Sequence, residues 1–171
     1  MNSVTLVVGN LCSLLAMITD SISSTRKTAK GVLMVQNLSQ TFYGIGAVVL
    51  KGYSGAVQNT VSILRNFLAI GNVTGKMVQW IMVALGVGFG IFFNNLGLVG
   101  WLPIVANLEY TLAVFRFQNN EQALKIAFLV SVALFAVFNI FILNFVGVIT
   151  NTIVLVTGII SLCSKNGQCT F

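Results

Sequence analysis

Seven apolar runs follow one another along the chain, with connections as short as residues 51–52. Each run is close to the roughly 20 residues that a helix needs to cross the hydrocarbon of a bilayer. The runs cover residues 3–22, 32–50, 53–70, 77–93, 96–117, 123–143 and 145–163. They lack an alternation of period two, and an open sheet cannot sit in lipid because its edge groups would have no hydrogen-bond partners. The runs therefore predict an all-α integral membrane protein with seven transmembrane helices.

Charge is too scarce on this chain for a surface that faces water. Nine basic and three acidic side chains make up 7% of the 171 residues, while 57% of the residues are hydrophobic. A soluble domain carries about 25% charged residues. Most of the surface is therefore expected to face lipid, which makes the lipid bilayer a partner. The first basic residue, Arg26, follows the first apolar run, so we interpret that run as a spanning helix and not as a cleaved signal peptide.

The basic residues also predict the orientation. With seven spans, the connections after helices one, three and five lie on the same side as the C-terminus. Counting residues near helix ends, this side holds Arg26, Lys27, Lys30, Arg65, Lys76, Arg116, Lys125 and Lys165. The opposite side holds only Lys51. The positive-inside rule then puts the N-terminus outside and the C-terminus in the cytoplasm. Because the basic residues stand singly, without interleaved aromatic residues, no nucleic acid partner is expected.

The sequence contains no constellation that predicts catalysis. It has no histidine, no phosphate-binding loop and no Ser-His-Asp set. Cys163 and Cys169 flank the stretch "SKNGQ", but without a histidine or a second cysteine pair they do not predict a metal site. The stretch "GVGFG" at 86–90 lacks the preceding strand of a dinucleotide site and instead predicts close packing of the fourth helix. We expect no enzyme activity, no cofactor and no metal.

One phrase occurs twice in the chain. "GAVQNT" at 55–60 returns 92 residues later as "GVITNT" at 147–152, and "VGNL" at 8–11 matches "VGWL" at 99–102. Helices one to three therefore correspond to helices five to seven. A single linking span makes the two units parallel, related by an axis along the membrane normal. We expect two parallel triple-helix bundles joined by a linker helix, a 3+1+3 layout. It divides the chain into residues 1–75, 76–95 and 96–171.

Several stretches resemble a known family. "LPIVANLEYTLAVFR" at 102–116 resembles the bacterial inner-membrane YgjV family in its spacing of Leu-Pro, Thr, Ala and Phe-Arg. "YSGAVQNTVSILRN" at 53–66 and "FN" at 138–139 are similar as well. The resemblance covers nearly the whole chain. It implies a multi-pass protein of the bacterial inner (plasma) membrane.

The layout of this family is similar to that of the SWEET (MtN3-like) and PQ-loop carriers and of the PnuC-type vitamin transporters. In SWEET carriers an asparagine on helix three and its counterpart on helix seven line the substrate site. By resemblance, these positions fall on Asn59 and Asn151. The SWEET pattern has a proline in the first helix of each unit, whereas this chain has Pro103 in the second unit and Cys12 in the first. At helix one this chain therefore departs from the SWEET pattern.

Asn59 and Asn151 are also candidates on physical grounds. An amide in lipid must find partners, so it points into the bundle or towards a water-filled cavity. Its donors and acceptor suit the hydroxyl or amide groups of a small solute. A pair related by pseudo-symmetry would present these groups from opposite walls of one central cavity. The alternative is that each asparagine ties its helix to a neighbouring helix.

Three further polar residues are candidates for the same site. Glu109 is the only acid well inside an apolar run, where it could bind a proton or accept hydrogen bonds from a solute. The alternatives for Glu109 are an ion pair with Arg116, two turns further along the helix, or a position close enough to the cytoplasm to be wetted. Asn107 and Asn139 could complete the lining of a cavity. Asp20 is interpreted as an interfacial residue at the cytoplasmic end of helix one.

These observations predict a small facilitator or secondary transporter. It would move a small polar solute, sugar-like or vitamin-like, by rocking one bundle against the other around a central site. The alternative function is a non-transporting scaffold, a receptor or a subunit of a larger membrane complex. That alternative predicts a dry centre in which the asparagines bond between helices. A homo-oligomer would be compatible with either function.

Overall fold

The computed structural model describes residues 2–24, 29–71, 73, 75–117 and 121–165. Within these residues the chain forms seven α-helices and no strand, which confirms the predicted number and type of elements. Arg26, Lys27, Cys169 and the C-terminal tail lie outside the described residues. The helices are α1 Ser3–Ser24, α2 Ala29–Val49, α3 Tyr53–Ile70, α4 Lys76–Phe92, α5 Trp101–Arg116, α6 Glu121–Phe141 and α7 Phe145–Lys165.

The helices differ in how continuous their apolar stretch is. Among the described residues, only α1 contains an 18-residue window, Ser3–Asp20, that is long and apolar enough to cross a membrane by length and composition alone. Shorter apolar helical stretches occupy Lys76–Phe92, Ile126–Phe141 and Phe145–Ile160. Large apolar side chains are exposed on every helix, and Phe92 is 80% exposed. An exposed apolar surface of this extent suits a lipid environment.

The fifth helix begins later than the sequence predicted, at Trp101 and not at Leu96. The side chain of Asn94 takes the backbone groups that would otherwise start the helix. Its Oδ1 accepts from the Leu96 N–H at 3.1 Å, and its Nδ2 donates to the Gly97 carbonyl at 2.8 Å. Gly97 has a φ of +56°, a left-handed conformation that ends the turn. The helix can start only after this turn.

The helices pack as a ring. Each helix contacts the next one in the chain, and α1 contacts α7. A direct contact between α3 and α5 completes the ring, so that α4 packs outside it, against α3 and α5. Within the described part of the chain, α1 does not pack against α3, nor α5 against α7. The middle helices α2 and α6 separate them.

An apolar cluster fills one end of the ring. Leu50, Phe138 and Ile142 are fully buried there, and we refer to these three residues as the apolar plug. Partly buried side chains pack around it: Leu6, Leu96, Val99 and Leu102. Gly55 leaves room for the Phe138 ring, because a Cβ at Gly55 would lie 2.6 Å from Cε1. The α2–α3, α4–α5 and α6–α7 connections lie at this end, which we call the plugged end.

Two turns at the plugged end have the same conformation. Lys51 has a φ of 60° and Leu143 a φ of 57°. Asn95 donates to the Lys51 carbonyl at 2.6 Å and accepts from the Tyr53 N–H at 3.3 Å. On the other turn, Asn10 donates to the Leu143 carbonyl at 3.1 Å and accepts from a backbone N–H of the first turn of α7, also at 3.1 Å. We call Asn10 and Asn95 the asparagine clamps, since each forms hydrogen bonds to a turn that is distant from it in the sequence.

Candidate functional site

The inward face of α3 carries a stripe of polar residues. Gly55, Asn59, Ser62 and Asn66 are spaced by four, three and four residues, which places them on one face of the helix. Gly55 contacts Phe138 of the plug, so this face points into the ring. Asn66 is buried, with 6% of its surface exposed. We call Asn59, Ser62 and Asn66 the α3 polar stripe. It runs from the plug towards the opposite end of the bundle.

The amides of this stripe have no protein partner. Within the described residues, neither Asn59 nor Asn66 forms a side-chain hydrogen bond. Helix α2 passes close to Asn59, whose Cβ lies 3.6 Å from the position of a Cβ on Gly44. An amide that is removed from water without a partner costs free energy. These side chains are therefore available to water or to a polar solute.

A second group of polar side chains joins α3, α4 and α5. Gln58 is 1% exposed, donates to the Gly86 carbonyl at 2.8 Å and accepts from Asn107 Nδ2 at 2.7 Å. The glycines of "GVGFG" make room for it: a Cβ at Gly90 would lie 2.6 Å from Gln58 Nε2. The predicted close packing of the fourth helix is confirmed at this point. Gln58 is thus the residue that locks α3 to its neighbours.

Arg65 extends this group by two further turns of α3. Its Nη1 donates to Asn107 Oδ1 at 3.3 Å and to Thr111 Oγ1 at 3.4 Å. Its guanidinium carbon lies 5.1 Å from the centre of the Tyr110 ring, a cation–π distance. Sequence reasoning counted Arg65 only as a determinant of topology. We call Gln58, Arg65, Asn107 and Thr111 the α3–α5 network.

A third polar group joins α1, α2 and α7. Ser39 Oγ donates to the carboxylate of Asp20. The Tyr43 hydroxyl lies close to both Asp20 and Thr150. Thr150 occupies the same position of the repeat as Gln58, 92 residues later. Asp20 bonds to α2, where Ser39 lies alongside it on the neighbouring helix, and its predicted interfacial position stays a prediction.

The comparison with protein families decides the identity. The family model Imp-YgjV, described as a bacterial inner membrane protein, matches residues 7–166. The chain belongs to this family. Membership confirms the resemblance noted in the sequence and the inner membrane location. A search of curated proteins found no match, and neither did a search of solved structures.

The Imp-YgjV chain brings only some of the predicted site residues together. Asn107 belongs to the α3–α5 network. Asn139 instead accepts from Asn144 at 3.2 Å, beside the α6–α7 turn. Asn151 is half-buried on α7 and, among the described residues, forms no side-chain hydrogen bond. Since α3 and α7 do not pack directly, Asn59 and Asn151 are not in contact.

Glu109 stands apart from these residues. It follows Asn107 by two positions, about 200° around the helix, so it faces away from the α3–α5 network. Its Oε2 is buried and has no hydrogen-bond partner. Among the residues that the structure describes, it forms no ion pair with Arg116. The ion pair that the sequence offered as one alternative for Glu109 is therefore absent among the described residues, while the other alternative, a position wetted from the cytoplasm, stays a prediction.

Two pockets in the described part of the chain lie away from the predicted asparagine pair. A shallow outward groove is lined by α4 alone, around Leu85 and Phe89. A small enclosed pocket between α4 and α5 is lined in part by Asn107 and Thr111. Neither is lined by Asn59 or Asn151. In the described parts of the chain, no three His, Cys, Asp or Glu side chains are placed to hold a metal ion.

Proposed function

We propose that this Imp-YgjV protein is a small transporter that moves a polar solute through the ring, by alternating access between its two triple-helix units. The observation that carries the proposal is the α3 polar stripe. Asn59 and Asn66 are partner-free amides on an inward face, and they lie directly below an apolar plug. Amides inside a membrane bundle that bond to no helix are suited to a solute.

The packing of the helices supports a 3+1+3 layout. Exchanging α1 with α5, α2 with α6 and α3 with α7 converts every contact of the ring into another observed contact. Leu50 and Ile142 are 92 residues apart and lie in one cluster, as equivalent residues near a two-fold axis would. Ser39 and Ser131, also 92 apart, both place the hydroxyl oxygen 2.9 Å from the carbonyl three residues earlier. The units proposed are residues 1–75 and 96–171, with α4 as the linker.

The position of the apolar plug indicates which end of the ring is closed in this conformation. The bias of the basic residues orients the plugged end outwards, with the N-terminus outside and the C-terminus in the cytoplasm. The ring is then closed towards the outside by Leu50, Phe138 and Ile142. A solute would reach the α3 polar stripe from the cytoplasmic side. Asn151 of α7 would contact the solute when the two triple-helix units move relative to each other.

Transport by reconstituted protein tests the proposal. Proteoliposomes are loaded with a panel of small labelled polyols, sugars and hydroxy acids, and their release is compared with that from empty liposomes. We expect faster release of at least one solute and loss of that release in Asn59→Leu. Thr60→Val is the matched control, because Thr60 is exposed and bonds only to the Ala56 carbonyl of its own helix. Release that equals the rate of empty liposomes for every solute contradicts the proposal.

The second candidate function is a non-transporting scaffold or subunit. The bond between Gln58 and Asn107 favours it, because a scaffold would use its amides to tie helices together. The two functions differ at Asn59. In a scaffold, Asn59→Leu removes an amide without a partner and is expected to raise the melting temperature without altering the cellular phenotype. In a transporter it abolishes solute movement.

A further inference from the structure

Arg65 is a cation without an anion. No described residue forms an ion pair with it. Asp20 bonds to Ser39 on the other side of the ring, and Glu109 faces away around α5. The side chains that do hold Arg65 are the neutral Asn107 and Thr111, at the long distances of 3.3 and 3.4 Å. Arg65 is half-buried, and a charge that is partly removed from water is costly unless a counter-charge joins it.

The geometry leaves one edge of the guanidinium free. Only Nη1 is committed, while Nε and Nη2 have no acceptor in the described part of the chain. This edge presents parallel N–H groups of the kind that bind both oxygens of a carboxylate or phosphate. The face of the Tyr110 ring supports the guanidinium plane at 5.1 Å. We propose that Arg65 binds the carboxylate or phosphate group of a ligand between α3 and α5.

The position of Arg65 also indicates the size of that ligand. Arg65 is one turn from Ser62 and precedes Asn66, so the charge lies at the far end of the α3 polar stripe. From Asn59 to Asn66 the stripe is about 10 Å long, at about 1.5 Å per residue. A small organic anion with hydroxyl or amide groups would fit this span. The inference that this anion is the transported solute rests on the proposed function. The inference that Arg65 binds an anion does not.

Binding is tested without transport. The protein is placed in phosphatidylcholine nanodiscs, and its melting temperature is measured with inorganic phosphate, L-lactate, glycerol 3-phosphate and neutral glucose at fixed ionic strength. We expect at least one anion to raise the melting temperature, with an affinity at least tenfold lower in Arg65→Gln. Lys76→Gln removes an exposed cation and serves as the matched control with unchanged affinity.

Nanodiscs of phosphatidylglycerol separate a lipid headgroup from a soluble anion. If the headgroup occupies the site, these discs raise the melting temperature of the parent protein but not that of Arg65→Gln, and the soluble anions add nothing. Either source supports the inference. The absence of any shift that depends on Arg65, in both lipids and with all three anions, overturns it. Binding without transport would instead contradict only the proposed function.

A carboxylate introduced next to Arg65 by substitution tests, without any ligand, whether Arg65 lacks a counter-charge. Thr111→Asp places an acid where Oγ1 lies 3.4 Å from Nη1, and Thr111→Asn is its uncharged counterpart. We expect Thr111→Asp to melt about 3 °C above Thr111→Asn. The order is expected to reverse when both are combined with Arg65→Gln, because the acid then has no partner. If Thr111→Asp melts above Thr111→Asn both with Arg65 and with Arg65→Gln, the effect does not depend on Arg65, and the inference that Arg65 lacks a counter-charge is contradicted.

Discussion

The two interfaces between the halves of the ring differ in how they are held. At the α3–α5 interface, Gln58, Asn107, Arg65 and Thr111 bond to one another, and α4 covers them from outside. At the α1–α7 interface, Asn10 bonds to the first turn of α7, Thr150 of α7 lies near the Tyr43 hydroxyl of α2, and no further helix covers α1 and α7 in the described residues.

Equivalent positions of the two interfaces carry different chemistry. Gln58 of one corresponds to Thr150 of the other, 92 residues later, and Thr111 corresponds to Asp20, 91 residues earlier. The α3–α5 interface contains the cation Arg65, while Asp20 on α1 is an acid that bonds to Ser39 of α2. We expect the interlocked α3–α5 side to act as the hinge and the α1–α7 side to open. Substitutions at equivalent positions can test this difference.

The largest effect is expected where α4 meets Gln58. Gly90→Val would place side-chain atoms against Gln58 and Ile104, since even a Cβ would lie 2.6 and 2.7 Å from their atoms. We expect a loss of about 3 kcal/mol in stability from overpacking. Gly88→Val, two residues away, meets nothing within 4 Å and is the control. Thermal unfolding in detergent, followed by size-exclusion chromatography, measures both. Equal melting temperatures would mean that α4 does not seal the interface.

The next effect compares equivalent residues directly. Gln58→Leu leaves Asn107 Nδ2 without its partner and removes the side-chain bond to the Gly86 carbonyl, and we expect a loss of about 2 kcal/mol. Thr150→Val, its equivalent on α7, is expected to cost about 0.6 kcal/mol, because Thr150 bonds to the Val146 carbonyl of its own helix and approaches another helix only at the Tyr43 hydroxyl. Denaturant unfolding measures the two losses. If Thr150→Val costs as much as Gln58→Leu, the two interfaces are equally locked.

The smallest effect concerns the asparagine clamps. Asn10→Ala frees the α6–α7 turn on the opening side, and Asn95→Ala frees the α2–α3 turn on the hinge side. A loss of about 1.4 kcal/mol in the free energy that favours the closed state over the open state raises the open fraction about tenfold. We expect Leu50→Cys, in a chain whose native cysteines are replaced, to react with a thiol reagent about tenfold faster with Asn10→Ala and about threefold faster with Asn95→Ala. The reverse order would place the hinge at α1–α7.

The helices could be predicted from the sequence, because runs of about 20 apolar residues leave few alternatives. The start of α5 could not, since it depends on how one side chain, Asn94, bonds to its own turn. The repeat pointed to Asn59 and Asn151, the positions at which the two copies agree. The residues buried at the interfaces are their predecessors, Gln58 and Thr150, at which the copies differ.

Other residues were missed or misgrouped in the sequence analysis because a sequence does not show in which direction a side chain points. A count of charges by side cannot tell whether an arginine points to water or to a neighbouring helix, and Arg65 contacts Asn107 and Thr111. Asn66 could have been found, because it lies seven residues after Asn59 and therefore on the same face. Asn107 and Asn139 were grouped by sequence, but the ring separates them into a network and a turn.

The central claim is that Asn59 lines a path open to the cytoplasm below a closed plug. Asn59→Cys and its lipid-facing neighbour Thr60→Cys, at the same depth, test it in a chain without native cysteines. Both are treated with a membrane-impermeant thiol reagent in inside-out and right-side-out vesicles. The account predicts that Asn59→Cys reacts from the cytoplasmic side only and that Thr60→Cys reacts from neither side. Equal reactivity of the two cysteines would contradict it.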